Sequence, residues 1–208
     1  GLVGPLGSVV ASSHMIGLDV EKLRCAIGIV SSRAGSILAN VGTMSKSTNC
    51  GHAVSEGVDA ALLAECGFTA NPDVIEHPRG YVASYFDDRF KLNELLNYGP
   101  PFRVTSPGYA IKMFPSQFGT HFVITAGLNL RKQVGDPARI ESVKLTTPMM
   151  AYIDRPFPVD GLDGKFSWQY TTACALLDGK VVMDSFTNER RFSNDMETML
   201  GRIEVEMR

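Results

Sequence analysis

Six side chains in this 208-residue sequence are of types that hold carboxylates or move protons: Lys46, His52, Lys112, His121, Arg155 and Tyr170. Lys46 stands in "GTMSKSTNCGHA", residues 42–53, ahead of a long apolar-patterned run. A phosphate loop would require G-x-x-x-x-G-K-[ST] after a β-branched strand. Ser45 occupies the second glycine position and no such strand precedes the loop, so the nucleotide reading fails. A helix beginning just after the loop would still favour an anion, through its free N–H groups and its macrodipole. Lys46 would add a full charge there, Thr48 or Asn49 would cap the helix, and His52 would reach the same anion from the first turn. His121 follows "PSQFGT" and falls in the first turn of another expected helix. The dipole there favours the neutral imidazole, which can act as a base. Arg155 in "YIDRPFPV" precedes Pro-Phe-Pro, which stiffens the backbone. A rigid planar fork suits a carboxylate. Lys112 and Tyr170 complete the set. Each residue also has a plainer reading, as a solvated lysine, a capping or core histidine, or a surface arginine.

The remaining polar residues read as ordinary. "LRK" at 130–132 and "NERR" at 188–191 are expected on solvated faces. His14 sits on an otherwise apolar helix and is expected to be buried, while His77 in "HPRG" faces solvent. Cys25, Cys50, Cys66 and Cys174 form no C-x-x-C pair, so no zinc or iron–sulfur site is expected. They read as small buried residues in a reducing compartment, the cytoplasm.

These residues need elements to position them. The first half reads as helices. "GPLGSVVASSHMIG" ends at Gly17, and Asp19 caps a second helix that closes near Gly35 with Leu23, Ile27 and Val30 on one face. "CGHAVSEGVDAALLAECGF" has the clearest helical spacing, with Val54, Val58 and Leu62 as its expected buried stripe and Gly67 after its end. A short helix is expected after Pro72, and "KLNELLNYG" supplies a further turn or two. "YGPP" then breaks the chain, and a boundary is expected within 98–108. Beyond it, "YAIKMFP" is a short strand or extended segment and "GTHFVITAGLNLRKQVG" a helix. "RIESVKLTTP" and the closing "GRIEVEMR" alternate as strands. "RPFPVDGLDGK" is a loop, and "FSWQYTTACALLDG" a largely buried helix. The expected fold class is α+β: an incomplete helical part over 1–107, then a smaller α+β part over 108–208.

Lys and Arg number 20 against 22 Asp and Glu. No basic field points to nucleic acid or to an anionic membrane, and no apolar run approaches the roughly 20 residues of a bilayer span. Any anionic ligand must therefore be held by a local cluster. The strings "GPLGS" and "SHM" near the start also occur in expression vectors, but the small-and-apolar pattern runs unbroken through both.

Several segments together resemble the MmgE/PrpD family, which includes 2-methylcitrate dehydratases and cis-aconitate decarboxylases. They are "MSKSTNCGHAVSEGVDAALLAECGFTANPDVIEHPRGY", "IKMFPSQFGTHFVITAGLNLRK", "DRPFPVDGLDGKFSWQYTTACALLDGKV" and "FTNERRFSNDMETMLGRIEVE", in the family order. The resemblance implies a large helical domain with a smaller α+β lid and an active site between them. It also implies that this sequence is the middle of a longer chain, lacking helices at both ends. It places Lys46 at the active-site lysine, His121 at the active-site histidine and Tyr170 at a pocket-lining tyrosine. Lys112 and Arg155 fall at positive positions near the substrate carboxylates. Many relatives have "KPLH" where this chain has "KSTN", so Asn49 replaces a histidine. The activity implied is cofactor-free and metal-free acid–base lyase chemistry on a small di- or tricarboxylate, by dehydration or decarboxylation, with epimerisation as an alternative on the same scaffold. A further alternative is a non-catalytic piece, or one subunit of a split enzyme. The expected assembly is a homodimer, or a hetero-oligomer with a chain supplying the missing helices.

Overall fold

The computed structural model describes residues 1–86 and 90–208. The chain forms two compact units, Gly1–Pro107 and Gly108–Arg208. The fold is α+β.

The first unit is built on α1 (Val3–Met15), α2 (Val20–Ser31) and α3 (Ser45–Glu65), followed by the short α4 (Tyr81–Tyr85). Gly17, at φ 72°, ends α1, and the Asp19 carboxylate accepts the Lys22 N–H at 2.8 Å to start α2. Val9, Ala26, Val30, Ala60, Ala61 and Ala64 make the buried core. The stripe expected on α3 is corrected. Val54, Val58 and Leu62 are 56%, 41% and 46% exposed, whereas Ala53, Gly57, Ala60, Ala61 and Ala64 are buried. The reason is helix proximity. A Cβ at Gly57 would run into Ser8 of α1, and the Ser8 hydroxyl donates to Val54 O at 2.8 Å. Only small side chains permit that approach, so the larger apolar residues are turned outward. His14 is exposed, not buried, and its neighbour Ser13 takes the inward position. His77, expected in solvent, is half-buried, and its Nδ1 accepts the Arg79 N–H at 3.1 Å.

The helix expected after Pro72 is a run of turns instead. Pro78 has no N–H to continue a helix, and Gly80 N–H turns back to His77 O at 2.7 Å. Arg24 of α2 holds these turns through Asp73 at 2.6 Å. "KLNELLNYG" becomes a 3₁₀ turn over Leu92–Leu96. "YAIKMFP" forms no strand, and the chain bends at Met113, Phe114 and Pro115.

The second unit packs α5 (His121–Val134) against α7 (Trp168–Asp178). A Cβ at Gly127 would lie 2.9 Å from Ala175 Cβ, so these helices too meet through small residues. Strands β1 (Val143–Thr147) and β2 (Ile203–Met207) pair in parallel, with Val143 opposite Ile203 and Thr147 opposite Met207. Their alternation places Val143, Leu145, Val205 and Met207 against apolar neighbours and Lys144 beside Glu206 at 2.7 Å. Every residue from Trp168 to Leu176 is buried. Ser167 caps α7 by accepting Tyr170 N–H at 2.9 Å, and Gly179, at φ 66°, closes it. The "RPFPVDGLDGK" loop contains one helical turn, α6 (Gly161–Gly164), capped by Asp160.

"NERR" forms α8 (Asn188–Arg191), ahead of α9 (Asn194–Leu200), and is not a solvated face. Arg191 is 4% exposed, pairs with Glu197 and donates from Nε to Pro158 O at 2.6 Å. Arg190 takes Asp178 and Asp195, both at 2.9 Å. The expectation of four buried cysteines is corrected as well. Cys50 and Cys66 are exposed, Cys25 is half-buried, and only Cys174 is buried, where desolvation pushes its thiol up to about 12. Among the described residues, no helix is long and apolar enough to cross a membrane, and no group of His, Cys, Asp or Glu is arranged to hold a metal ion.

Candidate functional site

In the second unit the chain from Lys112 to His121 folds into a tight cradle. Gln117 caps the 3₁₀ turn Phe118–Thr120 by accepting the Gly119 N–H with its side chain. The Ser116 and Thr120 hydroxyls lie 2.7 Å apart, and Thr120 Oγ1 also donates to Gln117 O at 2.7 Å. Trp168 Nε1 donates to Gly119 O at 3.1 Å and so anchors the turn to α7. These bonds consume the polar groups of the turn and fix where α5 begins. His121 is then its first residue, within the first turn where the sequence places it.

The His121 side chain is 8% exposed. Its ring lies edge-on to Phe114 at 5.3 Å and tilted against Phe118 at 5.4 Å. Nε2 is buried and, among the described residues, has no hydrogen-bond partner. Lys112 stands beside it, with Nζ donating to Ser116 O at 3.0 Å. Burial pushes the imidazole below the ordinary histidine value, and the Lys112 charge lowers it further, against an opposing pull from the backbone at Ser116 and Phe114. The result is a neutral imidazole with an unspent nitrogen next to an exposed ammonium. Such a group can accept a proton from a carbon acid whose carboxylate is held by the cation.

The other expected residues have different settings. Tyr170 is wholly buried. Its hydroxyl donates to Ser185 O at 2.6 Å, and burial raises its pKa. It is a core residue in this unit and presents no atom to a ligand. Arg155 is half-buried, pairs with Asp163 and donates from Nε to Tyr152 O at 3.1 Å. Its guanidinium lies 5.2 Å from the Phe166 ring centre. Asp163 also accepts the Val159 N–H at 3.0 Å. Arg155 therefore braces the proline-rich loop, with its charge already answered.

Sequence reasoning passed over Gln117 and Tyr152. Gln117 Nε2 donates to the Tyr152 hydroxyl at 2.7 Å, and Tyr152 is 49% exposed. The tyrosine tied to the His121 turn and facing solvent is thus Tyr152. Nothing in the sequence signals a pairing across 35 positions.

In the first unit, α3 begins at Ser45, one residue before Lys46, so Lys46 is exposed in the first turn. Neither Thr48 nor Asn49 caps the helix. Thr48 lies inside it and its hydroxyl donates to Ser45 O at 2.7 Å. The early start moves His52 out of the first turn. It lies about 9 Å further along the axis and about 120° around it from Lys46. Its neighbour there is Glu56, at 3.8 Å. Lys46 and His52 are not brought together.

Residues 1–93 match the MmgE/PrpD N-terminal domain and residues 114–208 the MmgE/PrpD C-terminal domain. The chain is similar to the cis-aconitate decarboxylase of Homo sapiens, 32% identical over 212 residues, which cover 99% of this chain and 44% of that protein. It is also similar to the cis-aconitate decarboxylase of Mus musculus, 30% identical over 221 residues, with 99% of this chain and 43% of that protein covered. A cis-aconitate decarboxylase-like protein of Aspergillus oryzae is 24% identical over 204 residues, with 88% and 42% covered. The chain thus spans less than half the length of these relatives. With both domains matched in order along one chain, this protein belongs to the MmgE/PrpD family.

Proposed function

We propose that this chain carries part of a lyase site for cofactor-independent acid–base chemistry on a small di- or tricarboxylate of the cis-aconitate class. The observation that carries the reading is His121, nearly buried between two phenylalanine rings, with Nε2 unpartnered and Lys112 beside it. The names of the relatives supply the substrate class. Nε2 accepts a proton from carbon alpha to a carboxylate, or, once protonated, delivers one to the carbanion left by loss of carbon dioxide. Lys112 stabilises the carboxylate charge that grows in either direction. Tyr152, oriented by Gln117, offers a hydroxyl for substrate positioning. Lys46 is a further carboxylate anchor, supported by the family likeness and its place in the first turn of α3. Arg155 and Tyr170 act through structure, and His52 is left outside the proposal.

The test is turnover of cis-aconitate, citrate and 2-methylcitrate by the full-length protein. His121→Ala is expected to lower kcat about 100-fold or more, the usual contribution of a positioned acid–base group. Undiminished turnover would remove His121 from the reaction. A second reading, in which the chain works only with a partner, is favoured by the open apolar face of Val54, Val58 and Leu62. Size-exclusion chromatography addresses it, and a stable monomer counts against the partner.

A further inference from the structure

We propose that the paired hydroxyls of Ser116 and Thr120 are a positioning clasp for the proposed base and the proposed carboxylate anchor, holding the turn from which His121 and Lys112 are aimed. The inference rests on the lyase reading above and deepens it. Ser116 and Thr120 are 5% and 0% exposed, and their hydroxyls lie 2.7 Å apart. The single Thr120 hydroxyl proton goes to Gln117 O at 2.7 Å. Ser116 is therefore the donor of the pair and Thr120 its acceptor.

The clasp reaches each group that the lyase reading uses in this unit. Ser116 O accepts from Lys112 Nζ at 3.0 Å, so the ammonium is tied to the same residue. Thr120 directly precedes His121, and its N–H donates to Gln117 O at 3.0 Å, which fixes the start of α5. Gln117 carries the constraint on, from Nε2 to the Tyr152 hydroxyl at 2.7 Å. Among the described residues, Lys112 is the charged group whose field reaches the imidazole, and Phe114, Phe118 and the Ser116 carbonyl are its other neighbours on this segment. The Lys112 charge lowers the His121 pKa more than the Ser116 carbonyl raises it. Without the clasp the Lys112 tether is freed and the turn loosens around the ring. Both changes let the imidazole pKa rise. A hydroxyl pair that only filled space would leave that value alone.

Thr120→Val keeps the shape of the side chain and removes the hydroxyl, while Thr120→Ser keeps the hydroxyl. NMR titration of the His121 ring in the ligand-free chain, identified among the four histidines by its loss in His121→Gln, reads the clasp without turnover. Its midpoint should move up in Thr120→Val and return in Thr120→Ser. In the full-length protein, Thr120→Val should lower kcat on cis-aconitate about tenfold or more, exceeding any rise in KM, and Thr120→Ser should restore it. Thermal unfolding accompanies each variant. Ser116→Ala, which removes the donor and leaves Thr120 bonded to Gln117, should shift the midpoint the same way, and it decides if Thr120→Val does not fold. An unmoved midpoint in the folded variant, or Thr120→Ser behaving as Thr120→Val, would overturn the proposal. Failure of the lyase reading looks different: His121→Ala then turns over undiminished while the midpoint still moves in Thr120→Val.

Discussion

Two tyrosines of the second unit show how much the same side chain is changed by its surroundings. Tyr170 donates its hydroxyl to Ser185 O inside the core, whereas Tyr152 donates no such bond inward and instead accepts from Gln117 at the surface. Tyr170→Phe leaves a buried carbonyl without its donor. It is expected to cost about 1–3 kcal/mol in urea unfolding and to leave the KM of the full-length protein unchanged. Tyr152→Phe should do the reverse, keeping the unfolding midpoint and raising KM. A Tyr170→Phe variant with native stability and impaired substrate binding would return that residue to the site. His121 follows the same logic. In the proposed role as a base it would draw on the unpartnered Nε2 and on the packing of its ring against Phe114 and Phe118.

At the scale of elements, small residues decide which helix faces are buried. Gly57 against Ser8, Gly28 against Ala70 and Gly127 against Ala175 are close approaches of helix to neighbour. The hydrophobic face of α3 drawn from Val54, Val58 and Leu62 is the more apolar one, yet Ala53, Gly57 and Ala60 win the core because the helices touch there. Gly57→Val should therefore destabilise the chain by about 1–3 kcal/mol through overpacking. Val58→Ser, on the outer face, should stay within about 0.5 kcal/mol in the isolated chain. Equal effects from the two substitutions, measured by denaturant unfolding, would contradict the packing described. The caps obey shorter rules. Asp19, Ser167, Gly17 and Gly179 lie where their types predict because a cap is settled within one turn of backbone.

For the whole molecule, His121 and Asp195 are among the groups that make stability fall with acid. Burial, then the Lys112 charge, holds the folded His121 below its ordinary value. As pH drops below about 6.5, the unfolded chain takes up that proton first, so stability declines until the folded pKa is passed. Burial alone would push the Asp195 carboxyl up, but the Arg190 pair and the Ser193 hydroxyl outweigh it and hold the group low. Its stabilisation is present above about 3.9 and is lost as pH falls through the folded value. Thermal unfolding from pH 8 to pH 3 should show both declines. His121→Gln should remove the one that begins near neutrality and leave the other. A flat profile between pH 7 and pH 5 in the unmodified chain would contradict the burial of His121.

The sequence by itself determined α1, α2, α5, α7 and the body of α3, the two alternating strands, the place of His121 in the first turn of α5 and, through its ordered motifs, the family. Those features are local: periodicity, caps and alternation are each written within a few residues. Only the tertiary structure decided that Lys46 and His52 part company along α3, that Arg155 answers Asp163, that Arg191 is buried, and that Tyr152 replaces Tyr170 at the surface. Each of these depends on what lies across the fold. A side chain's exposure and its partner are set by the shape and charge of the neighbouring element, and no spacing along one strand or helix records them.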